Sequence, residues 1–177
     1  MKKKQEFKLR LRGKSFVLVD WANVYGWKKS LKKAANPKKL YDYLRLYKEI
    51  KQIYFYFGTD NNRKSKSFLK QVAKIGYRVV TKPVKYILVN EINGQKTYRR
   101  KCDFDMEICI DVHQALKENY DGFIFFTGDG DFEPLYKLLV KLRKQVIVVY
   151  VKGHLGKEVW EMKQGIFKVE MPKLVGK

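Results

Sequence analysis

Four short, continuous apolar runs limit what this chain can fold into: Phe16-Val17-Leu18-Val19, Ile53-Tyr54-Phe55-Tyr56-Phe57, Phe123-Ile124-Phe125-Phe126 and Val146 to Val151. Strands that face water on one side alternate apolar and polar residues. An uninterrupted run reads instead as a strand covered on both faces, which is the situation of a parallel sheet wrapped by helices. Segments with helical spacing lie between the runs. Leu40, Tyr43, Leu44, Tyr47 and Ile50 follow Pro37, and Phe68, Leu69, Val72, Ala73 and Ile75 follow the second run. The repeated strand-helix-strand order predicts an α/β fold with a mainly parallel central sheet and right-handed crossovers.

The remaining elements follow in order. Helices are expected from Pro37 to Ile50 and from Phe68 to Ile75, the second stopped by Gly76, with a third strand over Tyr77 to Val80. Tyr86 to Ile92 and Gln95 to Arg100 flank Asn93-Gly94, the strongest short-range signal for a β-hairpin, here an excursion from the sheet. A helix is expected over Asp103 to Glu118, a strand over Gly122 to Thr127, a helix over Phe132 to Leu142, and a strand over Val146 to Val151. A helical turn at Val159 to Met162 and a strand at Ile166 to Val169 close the chain. Residues 1–15 read as a basic arm or an edge strand through Phe7, Leu9 and Leu11. Residues 16–170 read as one domain and 171–177 as a tail.

The 177 residues suffice for one core without staples. The charge is more telling: 39 Lys and Arg against 18 Asp and Glu give a formal net charge of +21. Such a surface suits a polyanion, since each neutralised phosphate releases counterions, although lysine enrichment also accompanies heat adaptation. Cys102 and Cys109 lack the spacing of a disulfide framework or a zinc ribbon. No secretion signal or membrane-spanning run stands out, so the expectation is a soluble cytoplasmic protein with reduced thiols and no membrane partner.

Against this basic background a few acids are placed with economy. Asp20 ends the first run, Asp129 and Asp131 lie in Thr127-Gly128-Asp129-Gly130-Asp131-Phe132 after the fourth expected strand, and Asp105 lies in the first turn of the helix after the hairpin. All three places fall on the carboxyl rim of a parallel sheet, where such folds bind ligands. Carboxylates gathered there repel one another unless a hard divalent cation neutralises them, and Mg²⁺ or Mn²⁺ suits oxygen ligands. Simpler roles compete: Asp131 as a helix cap, Asp20 as a turn residue, Asp105 as a favourable charge in a first turn. A calcium loop is excluded, because the required sixth-position Gly is Pro134 when counted from Asp129. His113 and His154 have no zinc spacing, and neither a Ser-His-Asp order nor a phosphate-binding Gly-x-x-x-x-Gly-Lys loop occurs.

Val17-Leu18-Val19-Asp20-x-x-Asn23, then Asp105 and Asp111 in one helix, then Phe126-Thr127-Gly128-Asp129-Gly130-Asp131-Phe132-x-Pro134-Leu135 resemble the NYN-type branch of the PIN-like ribonucleases. The resemblance runs from about Phe16 to Val151. It implies a three-layer α/β/α sandwich and metal-dependent cleavage of RNA, with Asp20, Asp105 and Asp129 as the principal metal-coordinating carboxylates. Asp131 would be a further ligand or hold a water, and Asn23 would orient its neighbours. Asp111 lies six residues beyond Asp105, displaced about 9 Å along the helix and turned about 120°, which suits a supporting role better. Asp103 is an extra acid that departs from the family pattern.

Lys28, Lys29, Lys32 and Lys33 follow the first strand, Arg63 and Lys64 the second, and Arg99, Arg100 and Lys101 lead into the acidic helix. These groups would hold phosphates while Trp21, Tyr25 or Trp27 stack on bases. The resulting expectation is a metal-dependent ribonuclease. A catalytically inactive or complex-dependent RNA-binding module of the same fold is the alternative. Nothing in the sequence distinguishes RNA from DNA as the polyanion, and a homo-oligomer is left open. A haloacid-dehalogenase-type phosphohydrolase is disfavoured, because Ala22 stands where that family needs a second Asp.

Overall fold

In the computed structural model, residues 8–171 are described; the expected contribution of Phe7 and the 172–177 stretch lie outside them. The strands are β1 (Ser15–Asp20), β2 (Ile50–Tyr56), β3 (Arg78–Val80), β4 (Lys85–Ile92), β5 (Gln95–Lys101), β6 (Gly122–Phe126), β7 (Gln145–Tyr150) and β8 (Ile166–Glu170). Six of them form one sheet in the order β3-β2-β1-β6-β7-β8, all parallel. The hairpin is a separate antiparallel pair of β4 and β5, turning at Asn93 and Gly94, both at positive φ.

The apolar runs are buried on both faces, as their lack of alternation demands. Val17, Val19, Ile53, Phe55, Ile124, Phe126, Ile147 and Val149 point into one core. Phe16, Leu18, Tyr54, Tyr56, Phe123, Phe125, Val146 and Val148 point into the other. The first face is covered by α1 (Trp21–Gly26), α3 (Pro37–Leu44) and α4 (Arg63–Ile75), through Trp21, Val24, Leu40, Leu44 and Val72; the short α2 (Lys28–Leu31) follows α1. The second is covered by α5 (Asp105–Lys117), α6 (Glu133–Lys141) and the short α7 (Lys157–Glu161), through Ile108, Val112, Ala115, Tyr136, Leu139 and Val159. The result is the three-layer α/β/α arrangement. Each fully buried large apolar side chain contributes roughly 1.5–3 kcal/mol, so the two cores hold the layers together.

Some boundaries depart from the sequence expectation. α3 ends at Leu44 rather than Ile50: Arg45 to Tyr47 bond back to Tyr41, Tyr43 and Leu44 as closing turns, and Ile50 already pairs with Ser15 in the sheet. The helical spacing of Tyr47 and Ile50 is coincidental. The segment after Asp20, where the sequence predicts no helix, forms the helix α1, with α2 directly beyond it. Residues 8–14 form no strand. They lie as a strap tied by Leu9 N–H to the Tyr47 hydroxyl (3.0 Å) and by both ends of the Gln145 amide to Arg10 and Arg12.

Candidate active site

The strand order reverses between β1 and β6, since the chain runs outward from β1 through β2 and β3, then returns to β6 and continues through β7 and β8. At such a switch point the loops leaving adjacent strands diverge and open a crevice at the carboxyl ends. Asp20 closes β1, and Thr127-Gly128-Asp129 leaves β6 beside it.

Asp20 is the N-cap of α1. Its Oδ1 accepts from the N–H groups of Ala22 (3.1 Å) and Asn23 (3.3 Å), and its Oδ2 accepts from the Asn23 side-chain amide (3.2 Å). Burial nevertheless raises its carboxyl to about 6, with the charge of Asp129 adding to the rise and the Asn23 and Ala22 hydrogen bonds opposing it. Asn23 also reaches across the crevice, where its Oδ1 accepts from Gly128 N–H at 3.3 Å.

The Gly-Asp-Gly-Asp turn is shaped by close backbone approach. A side chain on Gly128 would collide with the carbonyl oxygen of His154, and Gly156 N–H donates to the Gly128 carbonyl at 2.7 Å. Gly130 packs against Gly156 and the Glu158 carboxylate, an acid that carries no motif signal in the sequence. Asp129 N–H donates to the buried Thr127 hydroxyl (3.2 Å), and Asp129 Oδ1 accepts from Asp131 N–H (3.0 Å). The cap of the single 3₁₀ turn at Gly130–Phe132 is therefore Asp129, not Asp131, whose side chain is left exposed.

Asp105 opens α5. Burial and then the charges of Asp129, Asp103 and Asp131 push its carboxyl up, while Lys82 pulls it down. The charge of Asp129 thus acts on both of the other acids, Asp20 and Asp105. Beneath them lies Tyr136 of α6, fully buried, its hydroxyl without a hydrogen-bond partner. Burial, then the charges of Asp129 and Asp20, hold that phenol far above its usual range, hence protonated. Among the described residues, no three His, Cys, Asp or Glu are drawn together tightly enough to form a ready metal cage.

The other acids have local work. Asp111 accepts from the Tyr56 hydroxyl at 2.9 Å, on the core side of α5, and Asp103 pairs with Lys101 at 3.4 Å. Trp21 and Trp27 are 2% and 1% exposed, so neither is available to stack on a base; Tyr25, at 55%, is. The expectation fails for both tryptophans because an aromatic next to a rim can equally be the plug of the core below it. Lys28 and Lys29 in α2, and Arg63 and Lys64 in the first turn of α4, are exposed beside the rim. Arg99 and Lys101 are exposed on β5, but Arg100 is held by Asp60 at 2.7 Å. Cys102 and Cys109 are free thiols, and no helix among the described residues is long and apolar enough to cross a membrane.

Comparison with known proteins agrees with this architecture. The family model for the NYN domain matches residues 14–164. The low amplitude and bright protein LabA of Synechococcus elongatus is 31% identical over 126 residues, 70% of this chain. The match covers 66% of that relative, just under two thirds of its length. A crystal structure of a protein of unknown function from Vibrio parahaemolyticus superposes with a TM-score of 0.68, covering 92% of this chain and 96% of the other at 21% identity. That likeness speaks for the fold alone.

Proposed function

The chain belongs to the NYN domain family, and on that basis we propose that it is a metal-dependent ribonuclease hydrolysing RNA phosphodiester bonds at the rim between β1 and β6. NYN domains are in general nucleic-acid-binding and nuclease-like, and divalent metals are typical of them. The observation that carries the reading is the position of Asp129, whose charge acts on both Asp20 and Asp105 at the switch point.

The donor chemistry fits a hard cation: burial and the charge of Asp129 raise the proton affinity of both Asp20 and Asp105, near a buried phenol hydroxyl with no partner. Asp20, Asp105 and Asp129 would hold Mg²⁺ or Mn²⁺, and Asp131, whose charge also acts on Asp105, would serve as a further ligand or water holder. The ion would neutralise charge on the scissile phosphate and acidify a water. The chain's own residues do the positioning. Asn23 fixes the Asp20 carboxylate and ties it to the Gly128 turn, so both sides of the crevice keep one spacing. Tyr136 offers a proton donor from below that a bound water can accept. Lys28, Lys29, Arg63 and Lys64 hold phosphates on either side, and Tyr25 offers a ring to a base.

The test is cleavage of a labelled single-stranded RNA by wild type and Asp129→Asn in Mn²⁺, Mg²⁺ or EDTA. Asn keeps an acceptor for the Asp131 N–H, so the turn survives. Cutting that needs the metal and is lost in the variant is the expected result. Equal inertness of both proteins, with RNA still bound, would identify a binding module of the same fold.

A further inference from the structure

The β4–β5 hairpin is exposed along its whole length, on both faces. A lone two-stranded ribbon is marginal in water, so this one must be held from its base. Thr59, beyond the end of β2, bridges to Pro83: Thr59 N–H donates to the Lys82 carbonyl at 2.9 Å, and Val84 N–H to the Thr59 carbonyl at 3.1 Å. One residue further along, Asp60 accepts from the Tyr86 hydroxyl at 2.6 Å and from the Arg100 guanidinium at 2.7 Å. Tyr86 and Arg100 are directly opposed across the two strands, so one largely buried carboxylate grips both. Asp60 has no motif signal in the sequence, and Arg100, expected there to hold a phosphate, is instead a strut.

This grip fixes which face of the ribbon turns to the rim. Residues opposed in an antiparallel pair share a face, so Tyr86, Leu88, Tyr98 and Arg100 lie on the Asp60 side, Leu88 being opposed to Tyr98. Tyr86 is 54%, Leu88 47% and Tyr98 52% exposed. The opposite face carries Lys85 against Lys101 and Ile87 against Arg99. The strands hold five cations, Lys85, Lys96, Arg99, Arg100 and Lys101, and one acid, Glu91. A second copy of a chain with net charge +21 would bring like charge to this ribbon. A polyanion with stackable faces brings the complementary one. β5 also leads within four residues to Asp105, so a strand lying on the ribbon is delivered to the acidic rim.

We propose that the hairpin is a platform for single-stranded RNA, in which Tyr98 and Tyr86 stack on bases on the Asp60 face while the positive charge of Lys85, Arg99 and Lys101 on the other face draws the phosphate backbone to the ribbon, with Asp60 fixing its angle to the active site. This rests on the ribonuclease reading for the identity of the polyanion.

The test is fluorescence anisotropy of a labelled oligouridine in EDTA, where no cleavage is expected, over a series of salt concentrations. Tyr98→Ala is expected to weaken binding by about 5- to 100-fold with little change in salt slope, since stacking is not ionic. Replacing Lys85, Arg99 and Lys101 together by Gln lowers the slope by about 0.7 for each phosphate no longer neutralised. Asp60→Asn is expected to speed amide exchange in β4 and β5. Unchanged affinity in the Tyr98 and cation variants, while wild type still binds and cleaves RNA, overturns the platform and leaves the nuclease standing. A wild type that neither binds nor cleaves RNA removes both. A dimer that becomes monomeric on Tyr98→Ala, with RNA affinity unchanged, assigns the face to a second copy and also overturns the proposal.

Discussion

Asn23 and Gly128 are joined across the sheet's switch point by a 3.3 Å hydrogen bond from the Gly128 N–H to the Asn23 Oδ1, while the same side chain donates to Asp20. One amide therefore sets both the direction of an acid on β1 and the place of the turn that carries Asp129. Asn23→Ala is expected to weaken Mn²⁺ affinity or RNA cleavage by about 10- to 100-fold, the usual cost of removing a group that orients a ligand. Asn23→Asp should be worse, because it sets a second negative charge against Asp20. Calorimetric Mn²⁺ titration of the two variants ranks them.

The raised carboxyl of Asp20 predicts a pH signature. Its folded value is about 6 against 3.8 for the free group, so between these values the native state holds the proton more tightly than the unfolded state. Stability is then lost as pH rises from about 4 to about 6, and the full loss persists above that range. Asp20→Asn removes the charge and keeps a good cap. In metal-free buffer the melting-temperature gain of the variant should be near zero at about pH 4 and largest above about pH 6.5. A gain independent of pH would show that burial of the charge is not its source.

Tyr136→Phe deletes a fully buried hydroxyl that has no partner. An unsatisfied buried group of this kind costs about 1–3 kcal/mol, so the metal-free variant should be more stable in urea by up to about that amount. Its Mn²⁺ affinity should fall if the hydroxyl serves a bound water. A clear loss of metal-free stability would mean that the phenol is already hydrogen-bonded.

Gly128 and Gly26 form a contrast. A methyl on Gly128 meets the His154 carbonyl oxygen, whereas one on Gly26 at the end of α1 meets nothing within 4 Å. Gly128→Ala should cost about 1–3 kcal/mol through overpacking. Gly26→Ala should add about 0.4–1 kcal/mol by restricting the unfolded chain. Urea denaturation of both reads the difference.

Much of this is legible in the order of residues. Short apolar runs without alternation, closed by turn residues, read as strands covered on both sides, Asn93-Gly94 is the strongest short-range signal for a hairpin turn, and acids ending parallel strands fall on the carboxyl rim. These are local rules, because the period of a run and the φ of a turn depend on near neighbours. The switch point between β1 and β6 is not legible, since strand order is chosen by which faces pack. Nor is the burial of Trp21 and Trp27, because apolar character is the same in a core plug and a stacking platform. Asp129 rather than Asp131 as the cap turns on a single 3₁₀ turn too short to leave a periodic signal.

The layers, the rim and the identity of the acids upon it thus follow from residue order and local chemistry. That Asn23 meets Gly128, that Asp60 grips the hairpin through Tyr86 and Arg100, and that Tyr136 lies beneath the carboxylates were settled only when the chain packed in three dimensions. Each of those depends on side chains far apart in the chain arriving within hydrogen-bonding distance or charge range of one another, and such a meeting is set by the packing of whole elements rather than by any residue's own propensity.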